Sequence, residues 1–212
     1  MKSLFLILIL CITIPFIFAN ESQYEDHPIT KVTYGSMIKL AHIPTKYRLH
    51  SHKVSYGSSG GGSGQQSVTG FPENDDSNSL WVIKGPHGKR VLQGTVVKNG
   101  DTIRLVHSNT KKNLHSHLAV SPLTKQNEVS CFGENGEGDT GDNWIVEPES
   151  GKDWMRGEVV RFKHADTKTY LQAIESAKYQ NPIPGQIEIS GGKSKNEDTK
   201  WRTEEGIYFD EK

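Results

Sequence analysis

Cysteine is almost missing from this chain of 212 residues: only Cys11 and Cys131 occur, and Cys11 sits in an apolar run at the N-terminus. Small secreted domains that cannot build a sufficient core are normally stapled by several disulfides, so that class of scaffold is excluded and the core must hold the fold. Net charge is lacking too, because 25 Lys and Arg balance 25 Asp and Glu. Without a field of one sign there is no general attraction for nucleic acid or for an anionic membrane. Apolar residues make up 33% of the chain, which disfavours a helical bundle, and no window beyond the N-terminal run sustains the 3.6-residue period of an amphipathic helix. That run is the sole long apolar stretch, which excludes a polytopic membrane protein.

The run extends from Leu4 to Phe18, with Lys2 before it and Ala19 after it. One positive residue, about 15 apolar residues and a small residue at the end are the parts of a secretory signal peptide. Residues 1–19 are therefore expected to be removed, leaving a mature chain from Asn20 with no membrane insertion after cleavage. Cys11 departs with the leader, and the isolated Cys131 is expected to be buried.

What the chain has in plenty is repetition. Gly35-Ser36-Met37-Ile38-Lys39-Leu40-Ala41-His42 returns as Gly100-Asp101-Thr102-Ile103-Arg104-Leu105-Val106-His107 and as Gly157-Glu158-Val159-Val160-Arg161-Phe162-Lys163-His164. The units close at Trp81, Trp144 and Trp201, so the register holds through each whole unit and length differences fall in loops. Such a period marks one supersecondary unit repeated. Apolar residues at i, i+2 with Lys39, Arg104 or Arg161 between them read as half-buried strands. Pro44-Thr45-Lys46, Asn109-Thr110-Lys111 and Asp166-Thr167-Lys168 read as turns. Leu49, Leu114 and Leu171 lie on returning strands, and segments around Val68, Val129 and Ile189 and around the tryptophans supply a third and a fourth strand. Three units of four make an all-β chain of about twelve strands, and closure removes the edges that three open repeats would expose.

These repeats resemble the MIR domain, which implies a β-trefoil. Repeats over residues 29–84, 92–149 and 150–205 would together form one domain, with Leu40, Leu105 and Phe162 meeting near the threefold axis and Trp81, Trp144 and Trp201 buried at equivalent places. The strings Arg48-Leu49-His50-Ser51-His52, Gly64-Gln65-Gln66-Ser67-Val68-Thr69-Gly70, Asp75-Asp76-Ser77-Asn78-Ser79, Asn113-Leu114-His115-Ser116-His117 and Phe132-Gly133-Glu134-Asn135-Gly136-Glu137-Gly138-Asp139 resemble the stromal cell-derived factor 2 family. That resemblance implies a non-enzymatic module of the endoplasmic reticulum lumen, acting with a J-domain co-chaperone and lumenal Hsp70 on misfolded client proteins in quality control and the unfolded protein response. Tyr34 and Asn99 stand where the resemblance places cysteine in vertebrate members, so any disulfide those members form is absent. The ending Phe209-Asp210-Glu211-Lys212 departs from the K-D-E-L pattern, so residence in the lumen is expected to rest on a retained partner, with some secretion.

Several residue patterns bear on chemistry. The two Leu-His-Ser-His strings place His50 and His52, and His115 and His117, at i, i+2 on one face of a strand, which begins a zinc site. Such a site needs three or four ligands, and the third repeat offers Gln172 and Ile174, so no metal is expected. Ser51 and Ser116 beside histidine recur with the repeat and lack a distinct acid to orient a base. Glu134, Glu137, Asp139 and Asp142 crowd a glycine-rich loop of the oxygen-rich kind that calcium takes, but the EF-hand order is missing and a solvated acidic loop is expected. The glycine-rich stretch from Tyr56 to Gly64 lacks the Lys-Ser/Thr of a phosphate loop. No cofactor and no catalytic residue are assigned, and an enzyme is not expected. Binding candidates are His50, His52, His115, His117, Glu134 and Asp139. The alternative function is glycan binding, for which Tyr34, Tyr56, Tyr170 and Tyr179 could supply a ring face, although no such set repeats in all three units.

Overall fold

The computed structural model describes residues 30–57 and 62–212. The expected leader, residues 1–19, lies outside the described residues, as does part of the glycine-rich loop. Twelve strands follow in order: β1 (Met37–His42), β2 (Arg48–Ser55), β3 (Gln66–Phe71), β4 (Trp81–Lys84), β5 (Thr102–His107), β6 (Asn113–Val120), β7 (Asn127–Phe132), β8 (Trp144–Pro148), β9 (Val159–His164), β10 (Tyr170–Lys178), β11 (Ile187–Gly192) and β12 (Trp201–Ile207). The 3-10 turns Ser77–Ser79, Thr140–Asp142 and Glu197–Thr199 lead into the fourth strand of each repeat.

The first and fourth strands of the repeats close on themselves. β1 pairs with β4, β4 with β5, β5 with β8, β8 with β9, β9 with β12 and β12 with β1, every pair antiparallel. This barrel has no edge strand to protect. The hairpins β2–β3, β6–β7 and β10–β11 cover one end of it, where β3, β7 and β11 pair in a triangle. At the other end three backbone hydrogen bonds run in a ring, from Val32 N–H to the Trp154 carbonyl, Trp154 N–H to Val97, and Val97 N–H to Val32, at 2.8 to 3.0 Å. The architecture is the β-trefoil.

Alternation along the barrel strands explains the core. Ile38 and Leu40, Ile103 and Leu105, and Val160 and Phe162 point inward and are fully buried, in one cluster with Trp81, Trp144 and Trp201. Each of those tryptophans donates its indole N–H to a carbonyl on the second strand of its own repeat, Leu49, Leu114 or Leu171, at 2.8 to 2.9 Å. Trp154 is also fully buried, packed edge-on against Phe162 with ring centroids 5.5 Å apart. The cationic residues between the inward positions are less exposed than alternation alone implies. Lys39 and Arg161 are buried, with Lys39 Nζ donating to the Asn74 carbonyl and Arg161 Nε to Thr199 Oγ1, because neighbouring loops cover the barrel wall.

One residue per repeat ties a barrel strand to the neighbouring repeat. His42, His107 and His164 end β1, β5 and β9 and are fully buried. Each accepts at Nδ1 from the hydroxyl of the turn threonine three residues on, Thr45, Thr110 or Thr167, at 2.8 to 2.9 Å. Each donates from Nε2 to a carbonyl in the 3-10 turn region of another repeat: His42 to Asp198, His107 to Asn78 and His164 to Gly141, at 2.8 to 2.9 Å. Each ring also lies about 5 Å from the repeat tryptophan beside that turn, Trp201, Trp81 or Trp144. The turn threonine is followed by Lys46, Lys111 or Lys168 in the left-handed region, with φ of 64°, 59° and 62°.

His107→Ala removes two hydrogen bonds and a packed ring, leaving the Asn78 carbonyl and the Thr110 hydroxyl without their partner, and should cost about 3 kcal/mol in a urea titration. His164→Ala should cost a similar amount. His87→Ala, at an exposed side chain, should stay within about 0.5 kcal/mol of the parent.

Candidate functional site

The histidines of the Leu-His-Ser-His strings lie on β2 and β6, where each strand passes the 3-10 turn of its own repeat. In the first repeat His50 Nδ1 donates to Asp76 Oδ2 at 2.7 Å, and His50 Nε2 accepts from His52 Nδ1 at 2.9 Å. Asp76 caps the turn, accepting from Asn78 N–H and from the Ser79 hydroxyl. His50 is also stacked on Phe71, with ring centroids 4.8 Å apart. In the second repeat His115 Nδ1 meets Asp142 Oδ1 at 2.9 Å, while His117 Nε2 turns to Glu128 Oε1 at 3.0 Å. His115 packs on Phe132 as His50 does on Phe71. The four histidines are thus two arrays, each consumed within its own repeat.

Burial lowers the His50 pKa, opposed by the Asp76 carboxylate. Burial likewise brings His52 down to about 4, assisted by the neighbouring His50 and His107 rings. Burial alone would raise the Asp76 carboxyl, but the Ser79 hydroxyl, the Asn78 N–H and His50 together carry it below its usual value. The line Asp76, His50, His52 is therefore neutral at both rings near pH 7. His52 Nε2, the end of the line, is buried without a hydrogen-bond partner among the described residues.

Among the described residues, His115, Asp139 and Asp142 bring one ligand atom each within 4.8 Å of one another, the donor set that could hold a cation. Their atoms have other partners. Asp142, fully buried, accepts from Asn113 Nδ2 and from the Asp139 N–H, and Asp139 accepts from the Gly141 N–H, which together form a capping box on the turn. Glu134 and Glu137 are exposed and paired with each other through their backbones in a tight loop. Gly133 in that loop has φ of 80°, and a Cβ there would stand 1.7 Å from the Glu137 carbonyl oxygen, so a glycine is required. The acidic cluster therefore divides, with Asp142 inside as a cap and Glu134, Glu137 and Asp139 outside.

Ser51 and Ser116 are buried and donate to the carbonyls of Ser67 and Glu128, so neither hydroxyl is presented to a substrate. Cys131 is buried; burial pushes its thiol up to about 12, and its Sγ lies 3.3 Å from Ser51 Oγ. Of the four tyrosines, Tyr34 and Tyr56 are buried, and the Tyr56 hydroxyl lies 2.9 and 3.0 Å from the Val68 and Val129 carbonyls, with one proton to share between them. Tyr170 is half-buried, with Lys163 and Lys195 within about 6 Å of its ring centroid. Open surfaces remain between repeats. One of about 730 Å³ lies between the first and second repeats, with Lys53, Lys112 and Phe132 in its walls and Glu134 at its edge. A second of about 460 Å³ is reached by His115, His117 and Asp139.

Residue patterns do not single out Glu128 and Glu188, yet both are fully buried carboxylates at matching places on β7 and β11. Their common position, one before Val129 and Ile189, was the available signal. Glu128 accepts from the Ser63 N–H and hydroxyl; Glu188 accepts from the Leu123 and Thr124 N–H groups and the Ser121 hydroxyl. Each holds the hairpin turn of the preceding repeat, at the end of the barrel away from the ring formed by Val32, Val97 and Trp154.

A model of the MIR domain family matches residues 57–153. The stromal cell-derived factor 2-like protein of Dictyostelium discoideum is 95% identical over 212 residues, covering all of both chains. Human stromal cell-derived factor 2 is 48% identical over 178 residues, 84% of this chain and 82% of that one. Among solved structures, the SDF2-like protein from Arabidopsis thaliana matches with a TM-score of 0.82 and 50% identity, over 86% of this chain and 99% of that chain. A designed threefold-symmetric protein matches at 13% identity with a TM-score of 0.51, over 80% of this chain and 98% of that one, a likeness of fold alone.

Because burial lowers the pKa of His42, His50, His52, His107 and His164, the unfolded chain binds more protons than the folded one below the ordinary histidine value of about 6.5. These groups contribute stability that is present above that pH and lost as it falls. The urea midpoint should be flat above pH 7 and decline steadily towards pH 4. In an NMR titration the His52 ring should titrate near pH 4; a midpoint near 6.5 would show that the buried line to Asp76 is not formed.

Proposed function

Because the chain belongs to the stromal cell-derived factor 2-like family of MIR-domain proteins, we propose that it is a non-enzymatic binding module of the endoplasmic reticulum lumen. It assists folding and quality control with a J-domain co-chaperone and lumenal Hsp70, keeping misfolded clients soluble during the unfolded protein response. The observation that supports a binding role is the fate of the reactive side chains. The serine hydroxyls beside His50 and His115 are tied to backbone carbonyls, and His50, His115 and His117 to acids of their own repeats, while wide surfaces between repeats stay open. A general base must reach the proton it takes and a nucleophile must face its substrate, and these groups do neither. The trefoil serves as a rigid frame, and its function rests on what the surfaces between repeats recognise. Glycan binding has less support, since Tyr34 and Tyr56 are withdrawn into the core as ring platforms.

The test is affinity purification of the tagged chain from its own cells, with identification of what accompanies it by mass spectrometry. A J-domain protein and lumenal Hsp70 are expected, in amounts unchanged by glycosidase treatment or free sugars. Recovery of glycoproteins that a free sugar releases, with no J-domain protein, would replace this reading with the glycan one. Depletion of the J-domain partner should raise the fraction of the protein in the medium several-fold if that partner holds it in the lumen.

A further inference from the structure

The pseudo-threefold frame has a place where the third copy of a feature is missing. The registers of the three hairpins make Ser67, Glu128 and Glu188 equivalent, since each lies one residue before Val68, Val129 or Ile189, which pair with Ser51, Ser116 and Ala173. The hairpin turns correspond as well, being closed by the Tyr56–Gln65, Ser121–Gln126 and Tyr179–Gln186 backbone hydrogen bonds at 2.8 to 2.9 Å. Glu128 holds the turn of the first hairpin and Glu188 that of the second. By the same geometry Ser67 faces the turn of the third, residues 179–186. It has no carboxylate to offer, and its hydroxyl donates to the Val54 carbonyl instead.

At that junction lies a cavity of about 270 Å³. Its walls include Ser67, Val54, Leu123, Tyr179 and Ile183, and among the described residues Lys178 is the only charged one lining it. The third turn brings Gln180 and Asn181 to the same cavity, and among the described residues their backbone N–H groups have no acceptor, whereas the corresponding turn of the second hairpin gives two N–H groups to Glu188. The buried Glu188 stands behind the Tyr179 phenol, which directs its O–H at it over 3.4 Å. A carboxylate entering the cavity would find the Lys178 side chain and the Gln180–Asn181 turn among its walls, with the Tyr179 phenol bonded to the buried Glu188 nearby.

The geometry points to this cavity as a binding site for the C-terminal residue of a polypeptide ending in Leu or Ile, its carboxylate taking the place that Glu128 and Glu188 fill at the other two junctions. The volume is below the roughly 300 Å³ at which sites for whole small molecules begin, and suits one apolar residue with its terminal carboxylate. Preceding residues have a surface to lie on. Leu118 and Val120, 84% and 55% exposed, project from one face of β6, which runs into the turn carrying Leu123 to the cavity wall. Their counterparts on β2 are Lys53 and Ser55, so this strip belongs to one repeat only. The site deepens the binding-module reading, on which it rests for a polypeptide partner. Its test uses the isolated chain and synthetic ligands, so its failure is distinct from the absence of a co-chaperone in a purification.

The full chain would be titrated calorimetrically with the peptide N-acetyl-Gly-Ser-Leu as free acid, with its C-terminal amide and with 4-methylpentanoate. The free peptide acid should bind at least tenfold more tightly than the other two. Ser67→Glu, which supplies the carboxylate from the protein, should abolish binding and keep or raise the thermal midpoint. Lys178→Glu, on an exposed side chain, should weaken binding at least fivefold with the midpoint unchanged. An amide that binds as well as the acid, a folded Ser67→Glu variant of undiminished affinity, or 4-methylpentanoate binding as tightly as the peptide would each overturn the assignment. Should Ser67→Glu fail to fold, Lys178→Glu decides alone, and full affinity in that variant would overturn it.

Discussion

Three buried imidazoles tie the side chains of the closed ring together from repeat to repeat. His42, His107 and His164 each take a hydrogen bond from a threonine of their own repeat and give one to a carbonyl of another. A barrel of short strands gains its cooperativity from contacts that cross repeat boundaries, because no single repeat encloses a core. Imidazole suits the role because one planar ring accepts at one nitrogen and donates at the other while its face packs on a tryptophan. A Lys would bring a charge that burial penalises, and an aliphatic residue would leave the turn carbonyl without a donor. Neutrality at these rings is what burial enforces, and it is also why the fold is sensitive to acid.

The same logic extends to the carboxylates. Glu128 and Glu188 are fully buried, yet each is surrounded by N–H and O–H donors from a hairpin turn. Burial of a charge is tolerable where several donors replace its hydration. Asp76 and Asp142 do comparable work at the 3-10 turns, where Asp76 caps its turn, Asp142 takes the N–H of the cap residue Asp139, and each holds a histidine of a neighbouring strand. Polar groups that look like chemistry in the sequence are in this way spent on fixing the loops that a β-trefoil cannot anchor by strand pairing.

Departures from threefold symmetry are where the repeats present different surfaces. Where all three repeats agree, as at the tryptophans and the turn histidines, the residues are buried and structural. Where they disagree, the surface changes: Ser67 against Glu128 and Glu188, and Leu118 and Val120 against Lys53 and Ser55. A frame stabilised by its repeated positions leaves the unrepeated ones free to vary towards a partner.

The sequence by itself determined the three repeats and their period-2 strands, because alternation and spacing are local properties that survive without coordinates, and its resemblance to the MIR domain implied the trefoil class and the shared core of Leu40, Leu105, Phe162 and the three repeat tryptophans. Burial of Cys131 was legible on a different ground, since an unpaired cysteine behaves as a small apolar residue. The candidate site was less so. His50, His52, His115 and His117 were visible as a motif, but their partners Asp76, Asp142 and Glu128 lie 26, 27 and 11 residues away from the histidines they bond, and only the hairpins and turns decide which acid each ring meets. The burial of Trp154 followed from the backbone ring it shares with Val32 and Val97, which no local pattern records. Tertiary structure also decided that Glu128 and Glu188 are inside and that a cavity opens beside Ser67, since both depend on how the end of one repeat meets the start of another across the threefold axis.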